Sequence, residues 1–465
     1  MTLDELAAVT RGRLVNTIGP SPAITGAVEY DSRKIGPGGL FVAFEGAKVD
    51  GHAYAGAAVE AGAVAVLSTR DTGQPGVIVD EPLAALAALA HAVVLRLPEL
   101  TVVGLTGSSG KTTTKDYIGQ LLARLGPTIA PAGSLNNELG FPYTVLQATA
   151  ETRFLVLEMG ARGPGHIRYL TDIARPDIGV VLNVGAAHIG EFGSVEGTAR
   201  AKGELVEALP RAGVAVLNAD DPLVAGMAPR TRARVLLVGE SPEAVVRATE
   251  VTLDEGGGAS YVLSAAGQAE YVDLRVPGRH QVANTLAAAG VALSVGMPFA
   301  EVVTALGEVA IASARRMEVF RRPDGVTVID DSYNANPSST SAALHALAAM
   351  AAAHGRRTTA VLGYMAELGD HERSGHEEVG QLAAELGVDR LIAIADNARP
   401  ILDGAARVDG WTGEAIFAPD QAAAIEIVLG DLHDDDVVLV KGSRYRTWDV
   451  ADALRASRSP EEVRP

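Results

Sequence analysis

Residues 106–113, which read TGSSGKTT, have the types needed to hold a phosphate group. A phosphate needs close approach of the backbone, free N–H donors and a positive charge. The glycines allow that approach, Lys111 provides the charge, and the hydroxyl of Thr112 could bind Mg²⁺. The strict Walker pattern is not met, because Leu105 stands at the position of its first glycine. The structural alternative is a glycine turn with a lysine facing solvent. The predicted nucleotide-binding residues of this loop are Gly107, Ser108, Ser109, Gly110, Lys111, Thr112 and Thr113.

Other polar residues stand where apolar, strand-like runs end. Glu158 follows one such run, Asp331 lies just past a second, and Lys441 follows a third. In an open sheet of parallel strands, ligands bind at the carboxyl ends of the strands. A carboxylate at such an end could hold Mg²⁺ through oxygen. A helix cap or a solvated side chain is the alternative interpretation of Glu158 on the sequence alone.

The elements that position these residues fall into three segments, which predict three domains with the boundaries 1–98, 99–314 and 315–465. Strand-like runs alternate with helical patterns, so the predicted fold class is α/β. The first segment is a small α/β domain. The second is a mostly parallel sheet behind the phosphate loop, with an antiparallel insertion at residues 247–276. The third is another open α/β sheet. The predicted strands are 40–44, 63–67, 77–79, 101–105, 154–157, 178–183, 214–218, 326–329, 358–362, 391–395 and 437–440.

The totals limit the classes of function. With 465 residues, the chain is too long for one hydrophobic core. Its net charge of −18 opposes general nucleic-acid binding, which needs a basic face. The absence of cysteine removes disulfides and thiolate chemistry. No run of about 18 apolar residues and no secretory signal pattern occurs, so we expect a cytoplasmic enzyme without a membrane partner.

A series of short motifs occurs in a fixed order along nearly the whole chain. They are 106–113 (TGSSGKTT), 136–138 (NNE), 157–160 (LEMG), 186–188 (AAH), 201–204 (AKGE), 278–280 (GRH) with Asn284, 330–337 (DDSYNANP), 365–369 (MAELG) and 441–444 (KGSR). Each motif is weak alone, but the ordered set resembles the Mur ligase family. The resemblance implies a UDP-precursor-binding domain, a central ATPase domain and a C-terminal Rossmann-like domain. It also implies that ATP converts a carboxylate to an acyl phosphate, which an amine then attacks.

The resemblance also implies a set of catalytic and metal-site residues. The catalytic residues would be Lys111, Glu158, His188 and Lys202. The Mg²⁺ site would include Thr112, Glu158, His188 and Lys202, the last carbamylated by CO₂. Because CO₂ reacts with the neutral amine, burial or neighbouring cations should lower the pKa of Lys202. A solvated helix residue is the alternative interpretation of Lys202.

Further nucleotide contacts follow from the same resemblance. Asn284 would contact adenine, and Arg316 would reach an ATP phosphate, for which its fixed donors are suited. Arg315 is the competing choice for the phosphate. Asp331 would accept hydrogen bonds from the ribose, with Asp330 as its competitor.

The substrate residues are implied in the same way. Ser32 and Arg33 could bind the diphosphate or sugar of the precursor, unless they form only a turn with a surface arginine. Asn136 and Asn137 resemble amide contacts to that precursor. The motif 330–337 is similar to that of the family member that adds D-alanyl-D-alanine to UDP-N-acetylmuramoyl-tripeptide. The candidates near the amine or ATP are Tyr333, Asn334 and Asn336. The candidates for a carboxylate or phosphate clamp are Lys441, Ser443 and Arg444.

Other functions stay open at this point. The nearest is a Mur ligase that adds the third peptide residue, or a folylpolyglutamate synthase, since both would use the same loop and lysine. A non-catalytic ATP-binding paralogue is a different class, which the presence of Lys111, Glu158, His188 and Lys202 disfavours. We expect a monomer.

Overall fold

The computed structural model describes residues 1–17, 21–46, 49–185, 192–352, 354–443 and 447–456. The chain divides into two compact units. The first comprises Met1–Gly104, Gly126–Gly160 and Ile167–Ile178, and the second Leu105–Leu125, Ala161–His166 and Gly179–Pro465. The domain boundaries expected at residues 98 and 314 stay predictions.

A five-stranded sheet with the order β1-β5-β4-β3-β2 lies in the first unit. Apolar residues line both of its faces: Leu40 and Val42 face one buried cluster, and Phe41 and Ala43 face another. This alternation follows from the two-residue period of a strand. The strands are β1 (Arg13–Val15), β2 (Val28–Glu29), β3 (Gly39–Val42), β4 (Ala63–Ser68) and β5 (Gly76–Ile78), and the helices are Leu3–Thr10, Ala55–Glu60 and Pro82–Leu95.

The second sheet has the order β14-β13-β12-β11-β10-β9-β6-β8-β7. Its strands β8, β9 and β10 are nearly continuous apolar runs, as expected where helices cover both faces of parallel strands. The predicted antiparallel insertion is confirmed, because β12, β13 and β14 pair antiparallel. The strands are β6 (Thr101–Thr106), β7 (Thr128–Ile129), β8 (Phe154–Glu158), β9 (Ile178–Val181), β10 (Val214–Asn218), β11 (Arg234–Gly239), β12 (Val246–Leu253), β13 (Gly258–Ala265) and β14 (Gln268–Pro277). The helices of this part are Lys111–Ala123, Gly140–Val145, His166–Ile173, Val195–Ala208, Pro222–Ala225, Gln281–Ser294 and Phe299–Leu306.

The third sheet has the order β15-β16-β20-β17-β18-β19. All its pairs are parallel except the edge pair β15–β16. Along β20, Val437 and Leu439 face one buried cluster, whereas Val438 and Val440 face the other. The strands are β15 (Glu318–Arg321), β16 (Thr327–Asp331), β17 (Thr358–Leu362), β18 (Arg390–Ile394), β19 (Glu414–Ala418) and β20 (Val437–Lys441). The helices are Pro337–Ala352, Glu372–Glu385, Pro400–Ala405, Gln421–Gly430 and Trp448–Ala456.

The three sheets confirm the predicted α/β class. Two predicted strands end two residues early: 40–44 ends at Val42, and 178–183 ends at Val181, so that Asn183 lies in the loop that follows. Among the described helices, none is both long and apolar enough to cross a membrane.

Candidate functional site

The phosphate loop connects β6 to the helix Lys111–Ala123, which we call the loop helix. The backbone N–H groups of Ser108 and Ser109 each donate to Oδ1 of Asn183 at 2.9 Å. The ammonium of Lys111 donates to the carbonyl of Gly107 at 2.7 Å. The helix begins after a glycine that offers no side-chain cap, so its first-turn N–H groups suit an anion. The first-turn N–H groups and the ammonium of Lys111 are of the kind that phosphate binding requires, whereas the Ser108 and Ser109 N–H groups are held by Asn183.

A buried polar network lies behind this loop. Gly110 has φ +78°, and a Cβ atom there would lie 2.6 Å from Oδ1 of Asn284. That oxygen accepts from the hydroxyl of Thr114 at 3.2 Å, and the Asn284 amide donates to Gln281 at 2.9 Å. The hydroxyl of Tyr117 donates to the same Gln281 oxygen at 3.1 Å. The network therefore joins the loop helix to the helix Gln281–Ser294 and holds the Asn284 side chain against the loop.

Lys202 lies in the helix Val195–Ala208 and is 2% exposed. Burial lowers the pKa of Lys202 well below its usual value, and the nearby positive charge of Lys111 lowers it further. The next residue is Gly203, where a Cβ would lie 1.8 Å from the guanidinium of Arg230. That guanidinium caps two carbonyls of the same helix, those of residues 199 and 200. The lowered pKa favours the neutral amine of Lys202 over its ammonium form.

Glu158 ends β8 and is 4% exposed. Its Oε1 accepts from the hydroxyl of Ser134 at 2.8 Å and from the amide of Asn136 at 2.7 Å. The neighbouring Asn137 has a different position, since its Oδ1 accepts from the N–H of Gly140 at 2.7 Å and starts the next helix. Asn136 therefore orients a buried carboxylate, whereas Asn137 holds the turn just before the helix Gly140–Val145.

The carboxyl edge of the third sheet brings several predicted residues together. The ammonium of Lys441 pairs with Oδ2 of Asp331 and donates to the carbonyl of Asn334 at 3.0 Å. The hydroxyl of Ser443 donates to Oδ1 of Asn334 at 3.0 Å. Burial lowers the pKa of Lys441, opposed by the carboxylate of Asp331. Burial also lowers the pKa of His280 to about 4, against the opposing effect of Asp331.

Two adjacent arginines have separate partners. The guanidinium of Arg315 lies 4.6 Å from the ring centre of Trp448 and 2.7 Å from a carboxylate oxygen of Asp452. The guanidinium of Arg316 lies 4.1 Å from the ring centre of Tyr333. Arg315 is therefore bound to the last described helix, whereas Arg316 lies over a residue of the predicted substrate motif.

Asn336 lies near the phosphate loop. Its amide donates to the carbonyl of Ser108 at 3.5 Å, while its Oδ1 accepts from the N–H of Ser339 at 2.9 Å. The competing carboxylate Asp330 is fully buried, and burial raises its pKa. Asp330 has hydrogen bonds to Ser332, which leaves it enclosed by protein rather than facing a ribose.

The remaining predicted residues are less informative. Arg33 is exposed and forms a two-point contact with Asp31, at 2.8 Å for each hydrogen bond. This is the geometry of the surface-turn alternative, and Ser32 is half-buried within the turn. His188 and Arg444 lie outside the described residues. In the part of the chain that the structure does describe, no three or more His, Asp or Glu side chains form a metal-binding group.

A cavity of about 970 Å³ lies at the opposite, amino edge of the third sheet. Several of its charged groups pair with one another: Arg321 with Asp435 and Arg357 with Asp436. Ligands of open α/β sheets bind at the carboxyl edge. The cavity is therefore not the candidate site.

Comparison with known proteins identifies the family. Models of three Mur ligase domains match the chain: the Mur ligase family catalytic domain at residues 25–97, the middle domain at 105–292, and the glutamate ligase domain at 315–444. The chain belongs to the Mur ligase family.

Relatives of this Mur ligase span its full length. A Mycobacterium tuberculosis protein named UDP-N-acetylmuramoyl-tripeptide–D-alanyl-D-alanine ligase is 45% identical and covers 100% of this chain and 99% of its own. The Escherichia coli protein of the same name is 35% identical over 96% of each chain. The crystal structure of MurF from Acinetobacter baumannii matches with a TM-score of 0.86 at 30% identity, over 98% of each chain. The Thermotoga maritima MurF ligase in complex with ADP matches with a TM-score of 0.79 at 28% identity, over 93% of this chain and 99% of that chain.

Three residues that shape the loop of this Mur ligase were not predicted from the sequence: Asn183, Gln281 and Tyr117. Asn183 was assigned to a strand, although a polar residue at the end of a central strand is itself a signal. Gln281 directly follows the motif 278–280, and its spacing of three residues from the predicted Asn284 places both on one helix face. Tyr117 gave no signal, because its partner is 164 residues away in sequence.

Proposed function

We propose that this Mur ligase joins D-alanyl-D-alanine to the peptide of UDP-N-acetylmuramoyl-tripeptide and converts ATP to ADP and phosphate. The observation that carries the proposal is the 45% identity, over the whole chain, to a relative named for this pair of substrates. The loop geometry supports the nucleotide part, since backbone donors, an ammonium and an uncapped helix start converge there. The ADP complex of the similar Thermotoga maritima ligase supports it too.

The reaction has two steps. A carboxylate is a poor acyl donor, so one of its oxygens first attacks the γ-phosphorus of ATP, the bond to the β,γ-bridging oxygen breaks, and ADP leaves. The amine of D-alanyl-D-alanine then attacks the carbonyl carbon of the acyl phosphate. The carbon–oxygen bond to phosphate breaks, and the nitrogen loses a proton. Both steps need positioning and charge neutralisation more than covalent catalysis by the protein.

The residues proposed for ATP are those of the phosphate loop together with Asn284, Arg316 and Asp331. The first-turn amides and Lys111 would bind the phosphates, with the lysine released from the Gly107 carbonyl and the Ser108 and Ser109 amides released from Asn183. Arg316 would reach a phosphate, because Arg315 is already bound by Trp448 and Asp452. Asp331 would accept from the ribose. The adenine contact of Asn284 stays a prediction, since its amide is engaged by Thr114 and Gln281 in the structure.

Mg²⁺ would neutralise charge on the triphosphate. The proposed residues are Thr112, Glu158, His188 and Lys202, an assignment that rests on the family resemblance. A buried carboxylate and a hydroxyl fit, because Mg²⁺ prefers oxygen. A lysine ammonium does not fit, but its carbamate does, and the lowered pKa of Lys202 favours the neutral amine from which a carbamate forms.

The substrate contacts are proposed at the residues given by the sequence motifs. Lys441 and Ser443 are preorganised around Asn334, which supports a role beside the incoming dipeptide. Arg33 would have to exchange Asp31 for a phosphate. The proposed precursor contacts are Ser32, Arg33, Asn136 and Asn137, and the proposed dipeptide contacts are Tyr333, Asn334, Asn336, Lys441, Ser443 and Arg444. Domains at 1–98, 99–314 and 315–465, a cytoplasmic location and a monomeric state belong to the same proposal.

The test is an ADP-release assay with ATP, the UDP-linked tripeptide and D-alanyl-D-alanine, each omitted in turn. Release is expected only with all three, and mass spectrometry should find a product larger by the dipeptide minus water. Diaminopimelate, lysine and glutamate replace the dipeptide in separate arms, and release with one of them instead would favour the other ligases. A Lys111→Ala variant should lose activity. Full activity of that variant would contradict the loop assignment.

A further inference from the structure

One face of the loop helix makes a series of contacts with residues 307–317, which we call the linker. Three side chains four residues apart make the contacts, so they lie on one helix face about 6 Å apart. The sites on the loop helix are Asp116, Gln120 and Arg124, and they contact Ser313, Ala310 and Glu308, respectively. Successive contacts involve later residues of the helix and earlier residues of the linker, so the linker runs antiparallel to the helix.

The side chain of Gln120 binds both backbone groups of Ala310 in the linker. Its amide donates to the carbonyl of Ala310 at 2.8 Å, and its Oε1 accepts from the N–H of Ala310 at 2.9 Å. At the exposed end, Arg124 forms an ion pair with Glu308. A side-chain amide that satisfies both backbone groups of one residue fixes the position of that residue along the helix.

Asp116 makes the innermost contact. It is 5% exposed, and its Oδ2 accepts from the N–H of Ser313, itself 3% exposed, at 3.0 Å. Its Oδ1 lies 2.8 Å from the ammonium of Lys115. A hydrogen bond from a buried N–H to a carboxylate is stronger than a neutral one. Asp116 is five residues past Lys111, or about 7.5 Å along the axis from the start of the phosphate site.

The linker is held again just beyond Ser313. The N–H of Met317 donates to Oδ1 of Asp331 at 3.1 Å, and the carbonyl of Arg315 accepts from the N–H of Tyr333 at 3.2 Å. Arg315 and Met317 both have left-handed backbone, with φ +59° and +55°, which side chains disfavour. Only the surrounding contacts keep such a turn, and Arg316 lies in the middle of it.

We propose that Asp116 and Gln120 are positioning residues for nucleotide binding: through the linker they fix Arg316 relative to the phosphate loop. The loop helix then has two roles. Its first turn provides donors for the phosphate, and one of its faces holds the linker that contains Arg316. This inference rests on the role proposed above for Arg316 at an ATP phosphate. It adds that the arginine is placed by the loop helix, rather than by the third sheet alone.

The test uses Gln120→Ala, because Gln120 is uncharged and half-buried, so that the fold tolerates its loss. The matched control is Gln381→Ala, an exposed glutamine on the helix Glu372–Glu385 that bonds only Glu385 among the described residues. The readouts are the dissociation constant of a non-hydrolysable ATP analogue and the KM of D-alanyl-D-alanine. We expect Gln120→Ala to weaken the analogue about tenfold, since small misplacements of a binding group have effects of this order. The KM of the dipeptide and all values for Gln381→Ala should not change. Gln120→Glu, which keeps only the acceptor, should fall between.

A double-mutant cycle with Arg316→Ala separates positioning from simple structural support. If Gln120 acts through Arg316, Gln120→Ala should weaken the analogue no further in the Arg316→Ala background. Equal effects in both backgrounds would overturn the inference, as would an unchanged constant in Gln120→Ala or in Arg316→Ala alone. Failure of the ligase proposal would instead appear as no ADP release by the unmodified chain, and the binding measurements do not depend on that result.

Discussion

Gly110→Ala should destabilise the protein through two separate effects. The φ of +78° is left-handed, which costs a residue with a Cβ about 1–2 kcal/mol. The new Cβ would also lie 2.6 Å from Oδ1 of Asn284. That side chain is 6% exposed and bound to Thr114 and Gln281, so moving it breaks two hydrogen bonds of about 1 kcal/mol each. The expected loss is about 3–4 kcal/mol of unfolding free energy.

Gly296→Ala is the matched control. Gly296 has φ +90°, but no heavy atom lies within 4 Å of a Cβ built there. It should therefore show only the backbone cost of about 1–2 kcal/mol. Urea unfolding of the two variants and the parent measures the difference, and hydrogen exchange in the loop helix localises it. Affinity for an ATP analogue should fall in Gly110→Ala and not in Gly296→Ala, since only the first changes the phosphate loop.

Adding Asn284→Ala to Gly110→Ala isolates the steric part. With the amide removed, the clash disappears, so the double variant should be more stable than the sum of the single losses by about 2 kcal/mol. The reasoning fails if Gly110→Ala is no less stable than Gly296→Ala, or if the two losses at residues 110 and 284 simply add.

Three further outcomes are expected. Lys202→Met in bicarbonate-free buffer should abolish ligation yet raise stability at pH 7. The folded pKa of Lys202 is depressed, so this gain should shrink as pH rises towards about 10.4, where the unfolded lysine also loses its proton; pH-dependent urea unfolding checks it. His280→Gln should make the unfolding free energy less sensitive to acid, because the pKa of His280 is about 4 in the folded protein and about 6.5 in the unfolded chain. The parent should therefore lose up to about 3 kcal/mol of stability as pH falls from about 6.5 to 4. Equal pH dependence of unfolding in the variant and the parent would contradict this prediction. Gly203→Ala should lower the melting temperature although alanine favours helices by about 1 kcal/mol, because its Cβ displaces the guanidinium of Arg230; a stabilised variant would refute the contact.

The predicted strands agree best where the strand is buried on both faces. Val214–Asn218 and Thr358–Leu362 have the predicted bounds, since continuous apolar runs bounded by polar residues give an unambiguous signal. Strands β15 and β19 were not predicted; both are edge strands that expose part of their residues, so that neither forms a continuous buried run. Short strands such as β2 and β7, with two residues each, have no periodicity to detect.

The local and ordered features of the site were within reach of the sequence. The phosphate loop is continuous in the chain, so residue types at fixed spacing reveal it. The lowered pKa of Lys202 agrees with the expectation that burial would favour the neutral amine. The choice between Arg315 and Arg316 could only be argued by analogy, since both residues have the same chemistry and adjacent positions. The packing around the third sheet places Trp448 against Arg315 and Tyr333 against Arg316.

By itself, the sequence determined the family and the α/β class, because these follow from motifs in a fixed order and from periodicity; the phosphate loop stays a prediction from its residue types. Only the tertiary structure decided which distant side chains meet. Thr114 and Asn284 are 170 residues apart, and Asp116 and Ser313 are 197 apart. Such pairs leave no local pattern, because a hydrogen bond between two packed elements depends on their relative placement and not on sequence spacing. That placement puts the amide of Asn284 against the loop and the linker along the loop helix.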